Sequence, residues 1–171
     1  IAVARHARLP LTDTDIATGL RSVEWPARLA PIQGRLRGLL PDADELWLDG
    51  GHNAHGSAAL ARALEEMNRA RPMKLVLIVG MMNTRPPEDF FAAFRAFDPT
   101  VLTLAIPGEA NCYPAARLRD AALAVGMRAH ACRSVAMALR AAADLGEARV
   151  VIVGSLYLAG HVLARNGTPP A

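Results

Sequence analysis

Lysine is almost missing: Lys74 stands alone against 18 Arg, and with 16 acids the formal charge is only +3. The arginines are scattered, and aromatics make up 5% of the chain, so the pattern argues against a nucleic-acid surface. Cysteine is scarce too. Cys112 and Cys132 lack C-x-x-C spacing, which leaves no disulfide framework and reads as two reduced, structural residues. No apolar run approaches the ~18 residues that a membrane span needs. No G-x-x-x-x-G-K-[ST] occurs and no G-x-G-x-x-G follows an apolar run, which excludes a Walker-type phosphate loop and an independent NAD or FAD site from these 171 residues. An initiating Met and a signal-peptide core are also missing, so the chain is expected to be cut from a longer protein.

What is present is an apolar, alanine-rich chain, 52% hydrophobic and long enough for one domain with a real core. Residues 1–25 differ from the rest. Leu9 to Leu20 suggests a short helix with Thr12 as N-cap and Asp15 three residues on, too poor in apolar surface to form its own core. Residues 1–25 are therefore expected to be the end of a preceding domain with a connecting helix, and 26–171 the domain itself. Trp25 to Gln33, punctuated by proline, suits an edge strand, and Gly34 to Asp44 reads as a hairpin-like excursion.

From there short apolar runs alternate with helical segments. Strands are expected at Leu46–Leu48, Lys74–Gly80, Thr100–Ile106, Arg128–Cys132 and Arg149–Gly154. Helices are expected from Ala54 to about Ala70, Pro87 to Phe97, Pro114 to Val125, Ser134 to Leu145, and Leu156 to Ala164. The pattern predicts an α/β fold with a mostly parallel, Rossmann-like six-stranded sheet: five parallel strands, one antiparallel edge strand near Leu29, and helices on both faces.

The chemistry-bearing residues crowd around Asp49-Gly-Gly-His-Asn-Ala-His55, where a strand feeds a helix. In open α/β sheets ligands bind at that edge. Asp49 would either hydrogen-bond ribose hydroxyls or cap the Gly-Gly turn, and the residues leave both open. Asp49, His52 and His55 form D-x-x-H-x-x-H, a spacing that could hold a divalent metal, although no third His, Cys or Glu stands nearby to complete it. Arg28, stiffened by the preceding Trp25-Pro26, could clamp phosphate oxygens or simply lie in solvent. Gly154-Ser155-Leu156-Tyr157 repeats the strand–glycine–helix geometry. It offers either an anion site at a helix start or an ordinary Ser N-cap, while a Ser nucleophile lacks G-x-S-x-G and a paired base.

Trp25-Pro-Ala-Arg-Leu29, Leu48-Asp-Gly-Gly-His-Asn53, Gly80-Met-Met and Gly154-Ser-Leu-Tyr-Leu-Ala-Gly160, in that order at strand ends, resemble one family. The chain looks like the C-terminal domain of folylpolyglutamate synthase/dihydrofolate synthase, in the Mur ligase superfamily, over residues 9 to 165. The resemblance implies a folate-pathway ligase that uses ATP and Mg2+ to phosphorylate a pteroate or folate carboxylate, which the amine of L-glutamate then attacks. The phosphate loop and magnesium ligands would lie in the central ATPase domain of the same chain. Arg28 would contact ATP phosphates and Asp49 the ribose or nearby nucleotide atoms. His52 would be the catalytic imidazole in the interdomain cleft, and Ser155 and Tyr157 would lie near the glutamate carboxylates. A monomeric cytoplasmic enzyme is implied, inactive as this fragment. Three departures stand out: Gly51 and Ala54 where the family usually has G-A-H-N-P, a longer Arg28-to-Asp49 connection, and Asn83-Thr-Arg-Pro86 where a Lys-Asp-type segment is usual. Two other readings remain from the residues themselves: a stand-alone nucleotide-binding module without catalysis, and a metal-dependent hydrolase built on Asp49, His52 and His55.

Overall fold

The two strands made of near-continuous β-branched and leucine residues, Lys74–Val79 and Ala148–Val153, lie side by side at the middle of one sheet. Both are buried on both faces, as such runs must be. The computed structural model describes residues 9–22 and 26–168, together with 3, 6 and 7; Trp25, part of the expected edge segment, lies outside them. The strands are β1 (Ala30–Pro31), β2 (Glu45–Leu48), β3 (Lys74–Val79), β4 (Thr100–Thr103), β5 (Arg128–Ala131) and β6 (Ala148–Val153). Their order across the sheet is β1-β2-β6-β3-β4-β5, with β1 antiparallel to β2 and every other pair parallel. The α/β fold with five parallel strands and one antiparallel edge strand is thus as expected.

The helices are α1 (Asp13–Ser22), α2 (Ala54–Ala70), α3 (Glu88–Ala92), α4 (Ala115–Ala124), α5 (Val135–Ala143) and α6 (Leu156–Asn166). Alternation along the central strands decides which helix covers which face. Leu75, Leu77, Val79, Val151 and Val153 point to one side, where they pack with Leu60 and Leu64 of α2, the Phe90, Phe91 and Phe94 cluster, and Leu118 of α4. Val76, Ile78, Val150 and Ile152 point to the other side, against Leu139 of α5 and Leu158 and Val162 of α6. Each such leucine or phenylalanine contributes about 1.5–3 kcal/mol by leaving water.

This layering places the crevice. The strands on either side of β6, β2 and β3, send their following helices to one face, whereas β6 sends α6 to the other. The chain therefore parts at the carboxyl end of β6, the position where open α/β sheets bind ligands.

Several local expectations are met in detail. Thr12 and Asp15 form a reciprocal cap, in which Asp15 N–H donates to Thr12 Oγ1 at 3.1 Å and Thr12 N–H to Asp15 Oδ2 at 2.8 Å. No residue of α1 is buried, in keeping with its poor apolar face. The excursion from Gly34 to Asp44 does connect an antiparallel pair, and it contains a 3-10 turn at Arg37–Leu39. Arg37 holds its shape by donating to the carbonyls of Leu40, Asp42 and Asp44.

One helix is shorter than its sequence suggests. Instead of running from Pro87 to Phe97, α3 stops at Ala92 and a 3-10 turn follows at Arg95–Phe97. The tighter turns bring Phe94 into the core beside Phe90, with ring centroids 5.4 Å apart. A left-handed Asp98 (φ 45°) then reverses the chain before Pro99 and β4. Among the described residues no helix is long and apolar enough to cross a membrane.

Candidate functional site

The site begins where β2 runs out. Asp49 extends the ladder by one bond, its N–H donating to the Ile152 carbonyl at 2.9 Å, and its side chain then takes over. Asp49 Oδ1 accepts from Gly51 N–H at 2.7 Å, and Oδ2 accepts from Leu29 N–H at 2.8 Å. Gly50 N–H donates to the Ala27 carbonyl at 2.8 Å. Residues 27–29 are thereby laid across 49–51.

Ala27 and Leu29 are held at φ 57° and 44°, where a residue with a Cβ pays roughly 1–2 kcal/mol. Arg28 sits between them, its Nη1 donating to the Ala27 carbonyl at 3.1 Å. Gly50 is needed for room rather than for an unusual backbone angle. A Cβ there would lie 2.9 Å from Arg28 Nη1 and would collide with the Leu156 side chain at the start of α6.

A groove of about 460 Å³ opens beside this crossing, lined by Arg28, Asp49, Gly51, His52 and Asn53. Its floor runs along α2, where Gly56, Ala59 and Ala63 leave a concave face. Those small residues went unremarked in the sequence, although their helical spacing on one face was a usable signal. Asn53 caps α2 by accepting from Gly56 N–H at 2.8 Å.

His52 stands at a junction, for it also lines a cleft of about 290 Å³ with Met82, Thr84, Ser155 and Tyr157. It lines a third hollow, of about 240 Å³, with Asn53, Arg85 and Asp89. Its Nδ1 lies 3.2 Å from the Gly50 carbonyl. A carbonyl can only accept, so Nδ1 is the donor in this bond, and the neutral imidazole then carries its lone pair on Nε2.

At the end of β6, Gly154 has φ 115°, and a Cβ there would come within 2.8 Å of the Gly80 carbonyl. Ser155 is buried (2% exposed) and accepts from Tyr157 N–H at 3.0 Å, the N-cap geometry. Tyr157 itself is 58% exposed at the cleft mouth. The facing segment after β3 is pinned from the next loop: Tyr113 N–H donates to the Met81 carbonyl at 2.8 Å and Tyr113 Oη to the Arg85 carbonyl at 3.1 Å.

Arg28, Asp49 and His52 thus share one groove, and His52 joins it to the cleft of Ser155 and Tyr157. His55 is exposed on the first turn of α2. Among the described residues no three His, Cys, Asp or Glu side chains converge as metal donors, so D-x-x-H-x-x-H does not close into a site. Both cysteines are free, and burial pushes the Cys132 thiol up, which makes it a poor nucleophile.

Solved structures share this architecture. Folylpolyglutamate synthase of Mycobacterium tuberculosis, complexed with ADP and AMPPCP, superposes with a TM-score of 0.78 at 22% identity, over 99% of this chain and 38% of that one. Bifunctional folylpolyglutamate synthase/dihydrofolate synthase of Yersinia pestis complexed with AMPPNP and Mn ion gives 0.75 at 23% identity, over 96% and 37%. E. coli FolC in complex with DHPP and ADP gives 0.76 at 20% identity, over 96% and 36%. The chain spans little more than a third of the length of these proteins. No curated protein matches the sequence significantly. Residues 34–156, well over half of the chain, match the model of the Mur ligase, glutamate ligase domain, and the chain belongs to that family.

Proposed function

We propose that this chain is the C-terminal domain of an ATP-dependent ligase that joins L-glutamate to dihydropteroate, to folate, or to both. The observation that carries the reading is the convergence of Arg28, Asp49 and His52 on one groove at the carboxyl edge of the sheet, in a member of the glutamate ligase domain family. The groove offers a guanidinium beside a helix start, a donor set that suits the phosphates of a nucleotide. ATP supplies the phosphoryl group that makes the pteroate or folate carboxylate an acyl phosphate. Displacement of phosphate by the amine nitrogen of glutamate then gives the amide.

In this reading Arg28 neutralises nucleotide phosphate charge, which positions and stabilises a phosphoryl-transfer transition state without covalent chemistry. His52, with its Nε2 lone pair directed by the bond from Nδ1 to Gly50, takes the proton that the attacking amine must shed. Ser155 and Tyr157 border the cleft for the glutamate carboxylates. Asp49 belongs to the nucleotide groove. Ligands for Mg2+ are expected in a central domain of the same polypeptide, where the nucleotide's phosphates would be gripped. The whole enzyme is expected to be a cytoplasmic monomer, and this domain alone to be inactive.

The test is to supply the full-length protein with ATP, L-glutamate, and either dihydropteroate or folate, following the amide product by mass spectrometry alongside ADP. ADP formation that requires both the pterin acid and glutamate is the expected result. ATP turnover indifferent to them would sink the reading. Calorimetry of the isolated chain with ATP separates off the stand-alone module: a half-site binds weakly, whereas micromolar or tighter binding would favour the module.

A further inference from the structure

We infer that Asp49 is a positioning residue for Arg28: its carboxylate grips the 27–29 segment and holds the guanidinium over Gly50. The inference rests on the nucleotide-groove reading above and gives Asp49 a task beyond any contact with the nucleotide itself.

Both oxygens of Asp49 are already engaged by backbone N–H groups, Gly51 at 2.7 Å and Leu29 at 2.8 Å. The two bonds are unequal in what they hold. Gly51 follows directly from the sheet edge, so its bond fixes the carboxylate to the end of β2. Leu29 lies in a segment with little regular structure, leading into the two-residue strand β1. Arg28 is flanked there by two left-handed residues with side chains, Ala27 and Leu29. Such a conformation persists only where its surroundings over-determine it.

Two cross-links do so. One is the bond from Gly50 N–H to the Ala27 carbonyl. The other is the Asp49 carboxylate on Leu29 N–H, made by a side chain. Leu156 closes the arrangement from the far side, since a Cβ on Gly50 would meet both its side chain and Arg28 Nη1. Asn at position 49 would offer one carbonyl oxygen and one N–H donor to two N–H groups, so it would have to release one of them.

The test has two arms. In the first, amide hydrogen exchange is followed in wild type and Asp49→Asn. Leu29 N–H should be protected in wild type and exchange at least 10-fold faster in the variant, while amides of β3 and β6 keep their protection and report an intact fold. Unchanged exchange at Leu29 would overturn the grip, whatever the protein catalyses. In the second, Asp49→Asn, Arg28→Ala and the double variant of the full-length protein are assayed with ATP. Asp49→Asn should lower kcat/KM for ATP by about 10- to 100-fold, but by less than about threefold once Arg28 is already alanine. An equal loss in both backgrounds would overturn the inference. A wild type without ligase activity would refute the proposed reaction, and the exchange arm would still decide the grip.

Discussion

The two ends of the β2–β6 strand pair use the same kinds of residue in opposite ways. At the amino end Glu45 and Arg149 are register partners, and their side chains meet. Arg149, only 3% exposed, donates from Nε to Glu45 Oε2 at 2.6 Å. The same carboxylate accepts from Trp47 Nε1 at 3.0 Å and from Arg71 Nη1 at 3.3 Å. At the carboxyl end, beyond the Leu48–Ile152 pair, the acid is held by two backbone N–H groups, and Arg28, Asp49 and His52 face a groove. One end spends its charge on itself. The other keeps charge at the edge of a cavity, on a backbone that carries left-handed Ala27 and Leu29. The difference separates charges paired with one another from charges that line a groove.

The largest effect should come from breaking the amino end. Arg149→Ala takes from the Glu45 carboxylate its shortest partner, leaving it Trp47 and Arg71, and empties a buried site where the guanidinium also bonds Asn68 and the Arg71 carbonyl, so it should cost about 2–5 kcal/mol. Urea denaturation of the single variant and of Arg149→Met with Glu45→Leu sharpens the point. The double replacement should recover most of the loss, because removing both charges leaves none buried without a partner.

A second stability effect lies in Asn166, whose Oδ1 accepts from Leu36 N–H at 3.1 Å and whose Nδ2 donates to the Gln33 carbonyl at 2.7 Å. Asn166→Ala leaves a buried N–H and a carbonyl unanswered and should cost about 1–3 kcal/mol, read from the same unfolding curves.

The smallest effect concerns acid. Burial pushes the Glu45 carboxyl up, but the Arg149 and Trp47 hydrogen bonds and the charges of Arg149 and Arg71 outweigh it and hold the group below its ordinary 4.5. A depressed carboxyl contributes stability that is fully present above its unfolded value and is lost as pH falls through the lower folded one. Glu45→Gln should therefore be less stable than wild type near neutrality, and the gap should narrow below about pH 4.5. A gap that stays constant to pH 3 would contradict the assigned cause.

How much of this was legible in the sequence follows from distance along the chain. The central strands were plain because Leu75 to Val79 and Val150 to Val153 cannot be hidden in anything but a doubly covered sheet. The caps at Thr12, Asn53 and Ser134 were plain because donor and acceptor lie three residues apart. The crowding of Asp49, His52 and Arg28 came from strand-end motifs, and the fold does bring them together. What could not be read was long-range: Asp49 holding Leu29, Leu156 filling the space above Gly50, and Glu45 meeting Arg149. The premature end of α3 was equally hidden, since the apolar spacing of Phe90 to Phe97 fits a longer helix. Only the need to seat Phe94 and turn into β4 shortens it.

The comparison is tested most directly by Arg28→Ala in the full-length protein, with the proposed glutamate ligation and the urea midpoint measured on the same preparation. The account predicts a loss in kcat/KM of at least about 100-fold, equivalent to roughly 2.7 kcal/mol of transition-state stabilisation, with the midpoint unmoved. Near-normal turnover, or a loss of activity that merely follows a loss of stability, would contradict it.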